Sequence, residues 1–320
     1  MSHHTSSHSK RRLLAGFTLS ALAVLAACTD QPTSPAVSAT AGKASGSSKP
    51  ETFLFSGTQT GVAKIYSANA DGSNVRQLTT GAGIDIQPDY QPGNKRFVWV
   101  RTDPALGTSE IWTALANGAN TKRLTPAGMF AANPEYSPDG KQIAFDTGRE
   151  RDTHSIAIMN ADGTGFRLVL EGLVPAVAPT WAPSGEFIAF QGDSPSGVPS
   201  IYEVEVGGGD PRLFVNCTVQ PGCSDPDYNP AGTALAFVDN STHQLGVLAF
   251  QTGTITYVGG GSSELGNPTW SRNGDRILFD SNLLDDTRDV FAIQSDDPVG
   301  SVFVRLTKFS GDEVAPAASR

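Results

Sequence analysis

The chain has 320 residues, a formal net charge of −9, 34 glycines, 21 prolines and only 17% charged residues. That length suits one large all-β domain or two ordinary ones, and the Gly- and Pro-rich composition predicts many short strands and turns in place of helices. The acidic balance excludes an ordinary nucleic-acid binder, whose phosphate contacts need clustered Lys and Arg.

At the start, Lys10-Arg11-Arg12 closes a polar dozen residues, and "LLAGFTLSALAVLAA" (13–27) is apolar. A basic cluster followed by a short apolar run reads as a secretory signal peptide over residues 1–27. Leu25-Ala26-Ala27-Cys28 resembles the bacterial lipobox, which implies lipidation of Cys28 as the mature N-terminus and a membrane-anchored protein of the bacterial envelope, facing the periplasm or the surface. Loss of Lys10, Arg11 and Arg12 leaves 20 basic against 32 acidic residues, a formal −12. Residues 28–50, mainly Ser, Thr, Ala, Pro and Gly, read as a flexible tether.

From there one pattern recurs: "QPDYQPGNKRFVW", "NPEYSPDGKQIAF", "APTWAPSGEFIAF", "DPDYNPAGTALAF", "NPTWSRNGDRILF" and a truncated "APAASR". Its first prolines are Pro88, Pro134, Pro179, Pro226, Pro268 and Pro316, at steps of 46, 45, 47, 42 and 48. Each repeat continues into two further β-runs around a tight turn, as in "KIYSANADGSNVRQLT". Four strand-sized segments per repeat of this length predict a β-propeller. "TFLFSG" (52–57) opens the chain's repeats without an inner strand, and "GDEVAPAASR" ends them with one. Joined, they complete a sixth blade, so residues 51–320 are expected to form an all-β, six-bladed propeller closed by strands from both chain ends, hiding the sheet edges. Ile143, Phe145, Ile188, Phe190, Leu235, Phe237, Ile277 and Phe279, with Tyr90, Tyr136, Trp181, Tyr228 and Trp270, recur once per blade and are expected between neighbouring blades as core, not as a stacking platform for sugar or bases.

These repeats resemble the TolB-type, WD-like β-propeller repeats of bacterial envelope proteins, whose unit reads Pro-x-Trp/Tyr-Ser-Pro-Asp-Gly-x-x-Ile-x-Phe. The resemblance covers residues 52–320 and implies a fold more than an activity, because turn and core residues carry it. Similar repeats accompany serine peptidase domains, but no Gly-x-Ser-x-Gly elbow occurs here.

Beyond the leader, chemistry-bearing residues are sparse. Cys217 and Cys223 in "NCTVQPGCSD" are expected to form a disulfide. Free thiols or a metal pair are the alternatives, though no His or third Cys lies near enough for a zinc site. His154 and His243 occupy equivalent loops and are expected to be solvated. The loops between second and third strands are the longest and least regular, so a partner is expected on their face. Its candidate residues are Arg149, Glu150, Arg151, Asp152, His154, Asp285, Asp286, Arg288, Asp312 and Glu313. Asp285-Asp286 lacks the spaced oxygen ligands of a Ca²⁺ loop. The sequence thus favours a monomeric, non-catalytic envelope lipoprotein without metal or cofactor, binding an envelope protein or cell-wall component. The alternatives are a propeller enzyme of lyase or lactonase type, acting on a sugar or lactone in the funnel, and a small-ligand sensor.

Overall fold

A computed structural model of the chain describes residues 51–148, 154–170, 175–259, 263–296 and 302–319, together with the backbone of 36–38. All fall within one compact unit, Ser34–Arg320. The expected signal peptide and Cys28 lie outside the described residues. Among the described residues the structure is strand and turn, and no helix is long and apolar enough to cross a membrane.

In chain order the strands are β1 (Ala36–Ser38), β2 (Thr52–Gly57), β3 (Lys64–Asn69) and β4 (Arg76–Gln77). Blade I comprises β5 (Ile84–Tyr90), β6 (Arg96–Asp103), β7 (Thr108–Leu115) and β8 (Lys122–Arg123). Blade II holds β9 (Ala131–Tyr136), β10 (Gln142–Thr147), β11 (Ser155–Asn160) and β12 (Arg167–Leu170). Blade III is β13 (Val177–Trp181), β14 (Phe187–Asp193), β15 (Pro199–Glu205) and β16 (Arg212–Val215). Blade IV is β17 (Cys223–Tyr228), β18 (Ala234–Asp239), β19 (Gln244–Ala249) and β20 (Thr254–Gly259). Blade V is β21 (Leu265–Trp270), β22 (Arg276–Ser281), β23 (Asp289–Gln294) and β24 (Val302–Arg305), and the last strand is β25 (Glu313–Ala318).

Each blade is an antiparallel sheet in simple order, and blade VI reads β25-β2-β3-β4. The C-terminal strand therefore supplies the inner strand of the blade whose other three strands come from the N-terminal side, with Phe53 opposite Ala318. One expectation needs correction. Residues 36–38 are not free tether: β1 pairs in parallel with β24 and makes blade V five-stranded. An outer strand with unpaired N–H and C=O groups is a template for such an addition.

The repeated sequence explains the repeated geometry. In the turn after β9, the Lys141 N–H and the Ser137 hydroxyl donate to Asp139 and hold its carboxyl at about 2. Gly140 closes that turn at φ 69°. At the hairpin between the third and fourth strands of blade VI, Gly72 sits at φ 80°, and a Cβ there would lie 2.0 Å from the Leu306 carbonyl of blade V. Glycine is needed twice over, for the turn and for the approach of neighbouring blades.

The core lies in the seams. Tyr136, Ile143 and Phe145 of blade II pack with Val98 and Ile111 of blade I. Leu54 and Ile65 of blade VI meet Tyr90, Phe97 and Trp99, and Trp270, Ile277 and Phe279 meet Val238 and Leu245. A blade's two apolar faces are thus buried only by its neighbours, which is why closure of the ring matters energetically.

Candidate functional site: the loop face and the channel

Every inner strand carries the same irregularity. Two of its residues, an X-Pro pair, stand opposite one residue of the second strand, for example Gln87-Pro88 against Trp99. Such a bulge suits Pro, which has no N–H to give and sits on the strand nearest the axis. The X residues Gln87, Asn133, Ala178, Asp225, Asn267 and Ala315 all lie at φ between 48° and 53°. This left-handed backbone turns each X N–H toward the preceding blade. Gln87 donates to Ser56 Oγ (3.2 Å), Asn133 to Gln87 Oε1 (3.1 Å), Ala178 to Asp146 Oδ1 (3.1 Å) and Ala315 to Asp280 Oδ1 (3.0 Å). The Asn267 N–H is received by Asp225. Five seams are stitched this way, repaying a backbone conformation that costs about 1 kcal/mol or more per residue.

These X-Pro pairs line an axial channel of about 120 Å³. Asp89, Glu135 and Asp227 sit along its wall, and two of them are anchored across seams. Asp89 Oδ2 accepts the Tyr136 N–H and Asp227 Oδ2 the Trp270 N–H, both at 2.8 Å. Burial pushes the Asp225 carboxyl above its usual range. Among the described residues no three His, Cys, Asp or Glu side chains converge as metal ligands.

The loop face surrounds the mouth of this channel. It is formed by the starts of inner strands, the loops between second and third strands, and the segments that enter each blade. The sequence-predicted residues there divide sharply. Arg149, Glu150, Arg151 and Asp152 lie outside the described residues. Asp285, Asp286 and Asp312 are exposed. Asp285 accepts from the Thr287 hydroxyl and pairs with Arg305, which hold its carboxyl low.

Three others are corrected. His154 is not freely solvated, because its Nδ1 lies 3.5 Å from buried Asp146, which raises the imidazole's pKa. Arg288 is spent on Asp280 and on Glu264 (3.0 Å), so it ties its loop to a buried carboxylate instead of reaching outward. Glu313 is fully buried. Its Oε1 accepts from Gln59 Nε2 (3.0 Å).

The burial of Glu313 has a pattern behind it. The first residue of a blade's third strand faces the next blade's inner strand two residues before the bulge. At the VI–I seam these are Lys64 and Asp85, an ion pair at 3.7 Å. Trp99 Nε1 (3.0 Å) and Arg101 Nε (2.6 Å) complete the surroundings of Asp85. At the V–VI seam the same two places hold Asp289 and Glu313, two buried acids. Burial and the Asp289 carboxyl push Glu313 up to about 8, so it is a neutral acid at pH 7. Arg305 and Thr307 serve Asp289.

Sequence reasoning attended to charge and missed four apolar side chains on this face. Val62, Leu106, Val219 and Leu284 are 40%, 70%, 61% and 47% exposed. Each stands in a different loop, and the loops holding Leu106 and Val219 are fixed locally. Asp103 Oδ1 accepts the Ala105 (2.9 Å) and Leu106 (3.3 Å) N–H groups. The Val219 loop is closed by the Cys217–Cys223 disulfide, with a Cα–Cα distance of 6.0 Å, and by Gln220 Nε2 on the Gly197 carbonyl (2.7 Å). The only sequence signal was one apolar residue among turn formers, as in "DPALGT" and "CTVQPGC".

Comparison with known proteins agrees with the geometry. No curated protein matches the sequence. Among solved structures, TolB from Acinetobacter baumannii is similar with a TM-score of 0.72 at 17% identity, over 84% of this chain and 66% of that one. A putative TolB from Agrobacterium tumefaciens gives 0.63 at 17%, over 83% and 91%. An oligogalacturonate lyase in complex with manganese gives 0.56 at 12%, over 78% and 72%. At these identities the likeness is one of fold. The family model of the TolB beta propeller domain matches residues 34–191 and 127–320, and on that match, together with the ring of six blades, the chain belongs to the TolB beta propeller domain family.

Proposed function

We propose that this protein is a non-catalytic, lipid-anchored propeller of the bacterial envelope that docks another envelope protein on its loop face. The observation that carries the reading is the set of exposed apolar tips Val62, Leu106, Val219 and Leu284 around the channel mouth, interspersed with exposed Asp285, Asp286 and Asp312. Four apolar tips on separate loops of one face offer anchors to a partner that covers them together. The acids favour a partner with Lys or Arg at its rim, and the formal −12 of the mature chain steers such a partner in. Membership of the TolB beta propeller domain family supports an envelope location. Residues 1–27 and Cys28 supply the leader and the anchor in this reading, with the segment to residue 50 as the connection.

The test is in-cell cross-linking from the loop face, comparing the wild type with Leu106→Ser/Leu284→Ser. Both side chains are exposed, so thermal stability should stay within about 0.5 kcal/mol. Recovery of the cross-linked envelope partner should fall at least about tenfold, in line with loss of two interface anchors. Undiminished recovery would remove the loop face as the docking surface. Separately, Cys28→Ser should move the protein from the membrane to the soluble fraction, and continued membrane retention would refute the anchor.

A further inference from the structure

The six blades provide an internal control, because a side chain that departs from what the other blades carry at the same place stands out. Three such departures converge in one groove between blades III and IV, on the turn face opposite the loops just described. Glu203 follows Tyr202, the partner of Phe190 on the second strand, and at the same register the other blades have Ser67, Thr113, Ile158, Val247 and Ala292. Phe250 stands just past β19, at a place held elsewhere by Ala70, Ala116, Ala161, Val206 and Ser295. Phe187 begins β14, where its counterparts are Thr52, Arg96, Gln142, Ala234 and Arg276.

Together with Phe214, Tyr228 and Arg212 they wall an open cavity of about 550 Å³. The ring centroids of Phe250 lie 5.3 Å from Phe214 and 5.9 Å from Tyr228. The Arg212 guanidinium lies over Phe187 at 5.7 Å and over Phe214 at 5.6 Å. Glu203 is buried and holds that guanidinium in place, accepting from Arg212 Nε (2.6 Å) and Nη2 through one oxygen and from the Tyr228 hydroxyl through the other. The Arg212 side chain is 66% exposed, and its Nη1 makes no hydrogen bond among the described residues.

Stability alone does not account for this arrangement. Phe187, Phe214 and Phe250 remain half-buried around open space, whereas the other blades carry polar or smaller residues at the places of Phe187 and Phe250 and so put less apolar surface in water there. A buried carboxylate is also introduced where neutral residues suffice, at a desolvation cost that only a fixed cation offsets. What the departures do build is a rigid aromatic cleft with one oriented cation at its rim.

We infer that the groove between blades III and IV is a small-molecule site for a planar aromatic ring carrying one anionic group, a carboxylate or sulfonate. The ring enters among Phe187, Phe214 and Phe250 in offset or edge-to-face packing. The anion takes the remaining N–H groups of Arg212, whose planar fork Glu203 has already oriented. The pocket is on the face away from the docking loops, so it stands or falls independently of the partner assigned to them.

The experiment is calorimetric titration of the purified full chain with 2-naphthoate, 2-naphthamide and 2-naphthylmethylammonium. One saturable site for 2-naphthoate is expected, with affinity about tenfold weaker for the neutral amide, the loss that follows from one charge-assisted hydrogen bond. Phe250→Ala places a residue that three other blades carry at this point, so it leaves the fold intact, and it should weaken 2-naphthoate about tenfold. Arg212→Gln should erase the preference for the anion while retaining weak binding of the amide. Leu106→Ser on the other face should change nothing. Absence of saturable binding, an unchanged affinity in Phe250→Ala, or tighter binding of the ammonium probe than of the carboxylate would each overturn the assignment.

Discussion

Glu313→Gln tests whether the ring closes on a shared proton. Glu313 and Asp289 face each other across the V–VI seam, where β25 joins the ends of the chain, and both are buried. The groups packed around them are Arg305, which serves Asp289, Gln59, which donates to Glu313, and the exposed acids Asp285 and Asp312. The Glu313 carboxyl is raised from 4.5 to about 8 by burial and by Asp289. Between those values the folded chain keeps a proton that the unfolded chain has released, so stability falls as pH rises from about 4.5 to about 8. The full shift sets a ceiling of about 5 kcal/mol, and with the Arg305 guanidinium close by on Asp289 to offset part of a second negative charge we expect about 2 kcal/mol. Glutamine keeps the shape and the hydrogen bond with Gln59 but cannot ionise. Thermal unfolding, scanned at one rate from pH 5 to pH 9, should show the wild-type midpoint falling further than the variant's, which keeps only the smaller loss at His154. The variant should therefore exceed the wild type by about 5 °C at pH 9. Parallel profiles for the two proteins would refute the shared proton.

Other substitutions test the seams one at a time. Gly72→Ala puts a Cβ 2.0 Å from the Leu306 carbonyl at φ 80° and should cost about 3 kcal/mol by denaturant unfolding. Gly61→Ala, at φ 84° with nothing within 4 Å, should cost only about 1 kcal/mol. His154 has its pKa raised by Asp146, so its stabilisation is full below the unfolded pKa of about 6.5 and disappears as pH rises through the folded value. His154→Gln should flatten that loss, by less than about 1 kcal/mol because the side chain is one-quarter exposed. Reduction of Cys217–Cys223 should lower stability by about 2 kcal/mol and release the Val219 loop, visible as faster local amide exchange across residues 216–222.

The architecture was legible because it repeats. Pro88 and its five counterparts, counted along the chain, mark the blades, the closing strand and the aromatic seams. What the sequence could not display is who faces whom across a seam. Glu313 looked like a rim acid in "SGDEV", yet β25 inserts it opposite Asp289, 24 residues earlier in the chain. His154 looked like a loop histidine, but its distance from Asp146 depends on how the loop folds back on β10. The tips Leu106 and Val219 carried almost no signal, because a lone apolar residue in a turn is common and only its shared face gives it meaning. The site between blades III and IV was hidden for the opposite reason. Phe187 and Phe250 do not stand out in a chain already rich in phenylalanine at regular places.

The X-Pro bulges bear on how such a ring can be built or rebuilt. Five of the six left-handed X residues give their N–H to a group on the blade before, and the acceptor is Ser56, Gln87, Asp146, Asp225 or Asp280 according to the seam. Asn133 with Asp146 followed by Ala178 has its counterpart, half a circuit later, in Asn267 with Asp280 followed by Ala315. A blade transplanted alone would arrive with a donor whose acceptor stayed behind. Grafting, duplication or permutation of this propeller therefore has to supply, at every newly made seam, an acceptor for the incoming X residue's N–H.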